Sequence, residues 1–165
     1  GLYQPELVQS YAQGMRRKIG LAESRQNDHA LVTELLRRMA DNRADYTRLF
    51  RALADFATDE GAAAANEFVD RQAFHHWAND YRQRLASEQA EPAERSRRMK
   101  QVNPKYVLRN YLAQGAIDRA AEKDFSEIDR LLELLRRPFD EQPQNESYAG
   151  LPPDWAQHIS VSCSS

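Results

Sequence analysis

Cysteine is almost absent from this chain: Cys163 is the only one in 165 residues. A lone thiol excludes an internal disulfide and cannot build a zinc site by itself. Glycine is sparse too. The six (Gly1, Gly14, Gly20, Gly61, Gly115, Gly150) lie far apart, and neither G-x-G-x-x-G nor G-x-x-x-x-G-K-[ST] occurs, so no glycine loop offers its backbone N–H groups to a phosphate. No run approaches the ~20 apolar residues of a bilayer span, and the mean hydropathy is −0.80. Charge of one sign is not in excess, with 23 Lys+Arg against 25 Asp+Glu. That balance supplies no electrostatic pull toward nucleic acid or an anionic membrane. No cationic-then-apolar leader opens the chain, so secretion is not indicated and a cytoplasmic location is expected.

What is present is helical. Pro5 suits the first turn of a helix through Leu7, Val8, Tyr11, Met15 and Ile19, and Gly20 suits its stop. Leu31, Val32, Leu35, Leu36 and Met39 recur on one face of a second helix capped by Asn27 or Asp28. Tyr46, Leu49, Phe50, Leu53 and Phe56 form a third stripe, and the two stripes predict a helical hairpin. Thr58-Asp59-Glu60-Gly61 reads as a turn with acids near the next N-terminus. Phe74, Trp77, Tyr81 and Leu85 form an aromatic stripe, and Pro92 opens a short charged helix. Asn103-Pro104 is expected to start a helix through Val107, Leu108, Tyr111, Leu112 and Ile117. Ser126-Glu127-Ile128-Asp129 resembles a capping box ahead of Leu131, Leu132, Leu134 and Leu135.

Four of the seven prolines follow Arg137, so the end of the chain is not a long helix. Ile159, Val161 and Cys163 alternate with serines, the pattern of an extended tail strapped along an apolar groove. The expectation is an all-α fold of about six to seven helices over residues 1–137, followed by an extended, Pro-rich tail over 138–165 packed on that body.

Candidates for chemistry are few. His76 and Asp80 share a helical face beside His75, two or three ligand types with no fourth. His29 and His158 read as structural. Arg16-Arg17-Lys18, Arg37-Arg38, Arg95 to Lys100 and Arg136-Arg137 fall at helix C-termini or on polar faces, where they complement the helix dipole in solvent. A phosphate-binding surface is the other reading of those groups. Arg109 and Asn110 interrupt an apolar stretch; if they face inward they need a partner, with Asp140, Glu141 and Asp154 as candidates. Cys163 reads either as a small apolar filler or as a redox thiol. No phosphoryl- or nucleotidyl-transfer site is expected within the chain, because that chemistry needs a strand lysine and metal-binding carboxylates or carboxamides on short loops.

Several stretches are not generic. They are Val102-Asn103-Pro104-Lys105-Tyr106-Val107-Leu108-Arg109-Asn110-Tyr111-Leu112, Asp124-Phe125-Ser126, Arg137-Pro138-Phe139-Asp140-Glu141-Gln142-Pro143, Leu151-Pro152-Pro153-Asp154-Trp155 and Val161-Ser162-Cys163-Ser164-Ser165. In this order they resemble the C-terminal part of the selenoprotein O family, pseudokinase-like protein adenylyltransferases. Met15 to Leu21 and Asp45 to Phe50 are similar to the same family.

The resemblance implies the helical C-terminal part of a larger kinase-like fold. It implies transfer of AMP from ATP, with magnesium, to Ser, Thr or Tyr hydroxyls of other proteins. The family's nucleotide- and metal-binding residues lie upstream of the matched region, so no catalytic, cofactor-binding or metal residue is carried onto this chain. Its partners are then the upstream catalytic lobe and the protein substrates, with neither nucleic acid nor membrane. By position Cys163 matches the family's regulatory cysteine, replaced by selenocysteine in some members and held to pair with a cysteine in the kinase-like body. Such a region is expected to expose apolar surface where the lobe sits. The competing expectation is an independent interaction module that docks a partner on an exposed Phe74–Trp77–Tyr81 stripe.

Overall fold

A computed structural model describes residues 3–156. Among them are nine α-helices and no strand, so the fold is all-α. No helix among the described residues is long and apolar enough to cross a membrane. The chain divides into two compact units, Gly1–Asn103 and Pro104–Ser165.

The first unit holds α1 (Tyr3–Lys18), α2 (Asp28–Asn42), α3 (Tyr46–Ala52), α4 (Phe56–Asp59), α5 (Ala62–Ala65), α6 (Arg71–Ala86) and α7 (Pro92–Val102). Pro5 falls in the first turn of α1. Met15 and Ile19, one turn apart, are buried. Gly20 then reverses the chain at φ +78°, and a Cβ there would lie 2.6 Å from the Met99 sulfur. Glycine is therefore needed twice over: for its backbone angle and for the close approach of α7. The periodic stripe of α2 is realised as buried Val32, Leu35 and Met39.

Asp45 caps α3 by accepting from the Arg48 N–H at 2.9 Å. The third stripe continues through a 3-10 turn at Leu53–Asp55 into α4, which keeps Leu49, Phe50, Leu53 and Phe56 buried. Asp59 accepts from the N–H groups of Gly61 and Ala63, as its place before α5 suggests.

The second unit holds α8 (Asn110–Ala121) and α9 (Ser126–Arg136), followed by 3-10 turns at Pro143–Ala149 and Asp154–Ala156. Its core is Tyr106, Ala116, Leu131, Leu134 and Ala149. The described residues after Pro138, up to Ala156, include short 3-10 turns held by polar ties. The N–H groups of Lys105 and Tyr106 both donate to the Pro138 carbonyl. The Lys105 ammonium bridges Glu141 and Glu146 at 2.6 Å each.

Two helix-start expectations are corrected. Residues 103–109 are not helical, and α8 begins at Asn110. The Asn103 amide, fully buried, is spent on the end of α1: its Nδ2 donates to the Lys18 carbonyl at 2.7 Å and its Oδ1 accepts from the Lys18 ammonium. It is therefore not available as a cap. At α9 the capping box does not form. Phe125 occupies the cap position without a side-chain bond, and Asp124 accepts from the Ser126 N–H at 3.0 Å.

Candidate functional site

Cys163 and His158 lie outside the described residues, as does the alternating Ile159–Cys163 tail. His29, His75, His76 and Asp80 are all exposed. Among the described residues, no three His, Cys, Asp or Glu side chains converge where a cation could sit.

The aromatic stripe of α6 is not a docking surface. Phe74, Trp77 and Tyr81 are at most 1% exposed. Burial is possible because both polar tips are satisfied inside: Trp77 Nε1 donates to the Leu31 carbonyl at 2.9 Å, and the Tyr81 hydroxyl donates to the Ile19 carbonyl at 2.8 Å. Trp77 and Tyr81 stack with centroids 4.7 Å apart. Rings of this size contribute more when buried with their polar atoms paired than when left in water. Burial also pushes the Tyr81 hydroxyl well above the usual tyrosine range.

Arg109 is half-buried and Asn110 exposed. A buried polar tie lies elsewhere. Arg84 of α6 pairs with Asp28 at 2.6 Å and Glu88 at 2.9 Å, and all three side chains are at most 10% exposed. Arg84 also donates to the Glu23 carbonyl, while Glu88 accepts from the N–H groups of Ala22 and Glu23. The segment between α1 and α2 is thereby clasped to the end of α6. Burial works to raise the Asp28 and Glu88 carboxyls, but their hydrogen bonds and the Arg84 charge outweigh it and hold both below the usual range. Sequence reasoning missed this triad. The i, i+4 spacing of Arg84 and Glu88 is a legible signal, but the part played by Asp28 is a tertiary fact.

The basic groups divide. Arg37 and Arg38 pair with Glu34, holding its carboxyl at about 2. Arg136 and Arg137 share Glu133, Arg97 pairs with Glu94, and Lys100 with Asp55. Lys100 and Arg136, in the last turns of α7 and α9, complement the helix dipole as expected, whereas Arg37, Arg38 and Arg97 sit earlier on their helices against acids one turn away, and Arg95 is buried rather than solvated. Arg16, Arg17 and Arg98 differ. Together they line one cleft of about 470 Å³ between α1 and α7.

A second feature of α1 is its outer face. Leu7, Val8 and Tyr11 are 72%, 67% and 58% exposed. Leu7 and Tyr11 continue, at four-residue steps, the line that Met15 and Ile19 bury. Tyr11 and Met15 also border a mostly apolar groove of about 280 Å³ shared with Val32 and Leu36 of α2.

Comparison with known proteins connects this geometry to a family. Residues 2–136 match the family model described as protein adenylyltransferase SelO. The chain belongs to the SelO family. It is 55% identical over 154 residues to a protein nucleotidyltransferase YdiU of Burkholderia multivorans, covering 92% of this chain and 30% of that protein. The YdiU of Paraburkholderia xenovorans gives the same identity and coverage. That of Burkholderia pseudomallei is 49% identical over 168 residues, covering all of this chain and 32% of the relative. The chain thus spans about a third of the length of the curated relatives it matches. The SelO match takes in α1 to α9, and with them the Arg84 triad, the arginine cleft and the exposed face of α1.

Proposed function

We propose that this region is the helical, non-catalytic C-terminal scaffold of a cytoplasmic protein adenylyltransferase, which moves AMP from ATP to Ser, Thr or Tyr hydroxyls of other proteins. The α1 face of Leu7, Val8 and Tyr11 seats against the catalytic lobe that longer SelO relatives carry. Cys163 serves in the intact protein as the regulatory redox thiol. ATP and magnesium belong to residues outside this chain. The donor set here does not fit them: no glycine loop is present in the sequence, and no three His, Cys, Asp or Glu side chains converge among the described residues.

The observation that carries the reading is the stripe on α1 that is buried at Met15 and Ile19 and open at Leu7 and Tyr11, in a chain of SelO membership. An apolar stripe of that kind belongs against another surface. The test has two arms. The chain mixed with ATP, magnesium and a protein acceptor should transfer no AMP; measurable transfer overturns the reading. In a protein of full YdiU length, Leu7→Asp with Tyr11→Asp should lower the thermal midpoint and AMP transfer together. Unchanged stability and transfer would remove the docking role.

A further inference from the structure

We propose that the cleft between α1 and α7 binds a phosphoryl group through Arg16, Arg17 and Arg98. The inference does not rest on the scaffold reading above. Its basis is a concentration of uncompensated positive charge in a concave place. Arg16 and Arg17 come from the last turn of α1, Arg98 from the middle of α7, and Gln13 and Gln101 add amide groups at the same walls. No aspartate or glutamate lines the cleft. Two acids act at its edge, and both are engaged elsewhere: the charge of Asp28 reaches Arg16, but its oxygens are taken by Arg84 and the Arg25 N–H, and Glu88, which accepts from the N–H of Ala22 at the cleft wall, pairs with Arg84. None of the three guanidinium groups has an acid in hydrogen-bond contact among the described residues, whereas Arg37, Arg38, Arg84, Arg97, Arg136 and Arg137 each have one. The Arg98 Nη2 is shielded from water and meets no acceptor, an arrangement proteins rarely leave unanswered.

The helix dipole explains Arg16 and Arg17, which sit at a C-terminus. It does not explain Arg98, which projects from another helix toward the same space. A shared anion explains all three. Guanidinium forks match tetrahedral oxyanions with several oxygens and up to two charges better than a single carboxylate, which offers two oxygens and one charge. The volume exceeds that of a bare phosphate, leaving room for whatever carries the group.

Inorganic phosphate, pyrophosphate, AMP and ATP are the probes, titrated into the chain at low salt by calorimetry and by thermal melting. Saturable one-site uptake of pyrophosphate is expected, with a midpoint that rises with ligand concentration. Arg98→Gln and Arg17→Gln should each weaken it about tenfold, the loss of one charge-assisted bond, and move the rise in midpoint to about tenfold higher ligand concentration. Arg98→Lys, which keeps the charge without the fork, should fall between, and Arg136→Gln should change nothing. AMP and ATP should bind no more tightly than phosphate and pyrophosphate respectively. No saturable uptake, equal uptake by Arg98→Gln, equal weakening by Arg136→Gln, or ATP binding far tighter than pyrophosphate would each overturn the assignment. None of these outcomes depends on AMP transfer, so failure here and failure of the scaffold reading remain separate results.

Discussion

The two units are held together in different ways. The first buries a continuous apolar cluster running from Met15 to Met99, with Trp77, Tyr81, Phe50 and Phe74 fully enclosed. The second buries only Tyr106, Ala116, Leu131, Leu134 and Ala149, backed by partly buried Leu112, Ile128, Leu135 and Tyr148. It also leaves Leu108, Ile117, Phe125, Leu132, Phe139, Leu151 and Trp155 exposed. Burial of apolar surface is the dominant favourable term in folding, so the first unit is organised by side-chain packing and the second leans on specific polar ties. Substitutions that remove packing should therefore be most damaging in the first unit, and those that remove single hydrogen bonds most visible in the second.

The largest expected effect comes from Trp77→Ala. It empties a fully buried site and removes the indole bond to the Leu31 carbonyl, so a loss of about 4 kcal/mol is expected in denaturant unfolding followed by near-ultraviolet dichroism. A loss below about 1 kcal/mol would mean that the core of the first unit can collapse around the gap.

Arg84→Met comes next, at about 3 kcal/mol, because it leaves two buried carboxylates without their cation. The pH dependence is the sharper readout. Asp28 and Glu88 are held below the usual range in the folded state. Their contribution is thus complete above the unfolded carboxylate values of about 4 and is lost as pH falls through the lower folded ones. Without Arg84, burial favours the neutral acids, so lowering the pH toward 4 should recover stability in the variant while leaving the parent unchanged or weaker. A parallel pH profile for the two proteins would show that the triad is not the clasp described.

The elements that sequence reasoning reached correctly are those decided within one helix. The stripes of α2 and α6, the stop at Gly20, the start at Pro92 and the end before Pro138 each follow from residues a few positions apart. The failures share one cause, a side chain committed to a distant partner. Asn103 looks like a cap, yet its amide is held 85 residues away by Lys18. The α6 stripe could be read as exposed because nothing local shows that the Ile19 and Leu31 carbonyls await its hydroxyl and indole. The arginine cleft is illegible for the same reason. Arg16-Arg17 and Arg98 each read as ordinary surface charge, and only the packing of α7 on α1 sets them face to face.

Leu134→Ala tests the second unit by packing. It should cost about 2.5 kcal/mol, read as faster hydrogen exchange in α8 and α9 while α2 and α6 keep their protection. Equal loss in all four helices would show that the units unfold as one and would weaken the contrast drawn between them.

The smallest expected effect isolates the polar ties. Gln142 is 3% exposed, and its Nε2 donates to the carbonyls of Leu134 at 3.1 Å and Arg137 at 2.9 Å, closing the C-terminus of α9. Its own carbonyl accepts from the Tyr106 hydroxyl at 3.0 Å. Gln142→Ala removes these two bonds and the one its Oε1 accepts from the Asn145 amide, but opens a polar gap that water can enter, which places the loss at about 1.5 kcal/mol. Tyr106→Phe keeps the ring in the small core and removes only its hydroxyl bond, so about 1 kcal/mol is expected. Two neutral hydrogen-bond changes of that size would be minor in the first unit, where Trp77 alone carries more. Here they should raise exchange of the α9 C-terminal amides before any other helix responds. If α9 stays protected in both variants, its end is held by Leu131 and Leu134 packing alone, and the second unit is a smaller version of the first.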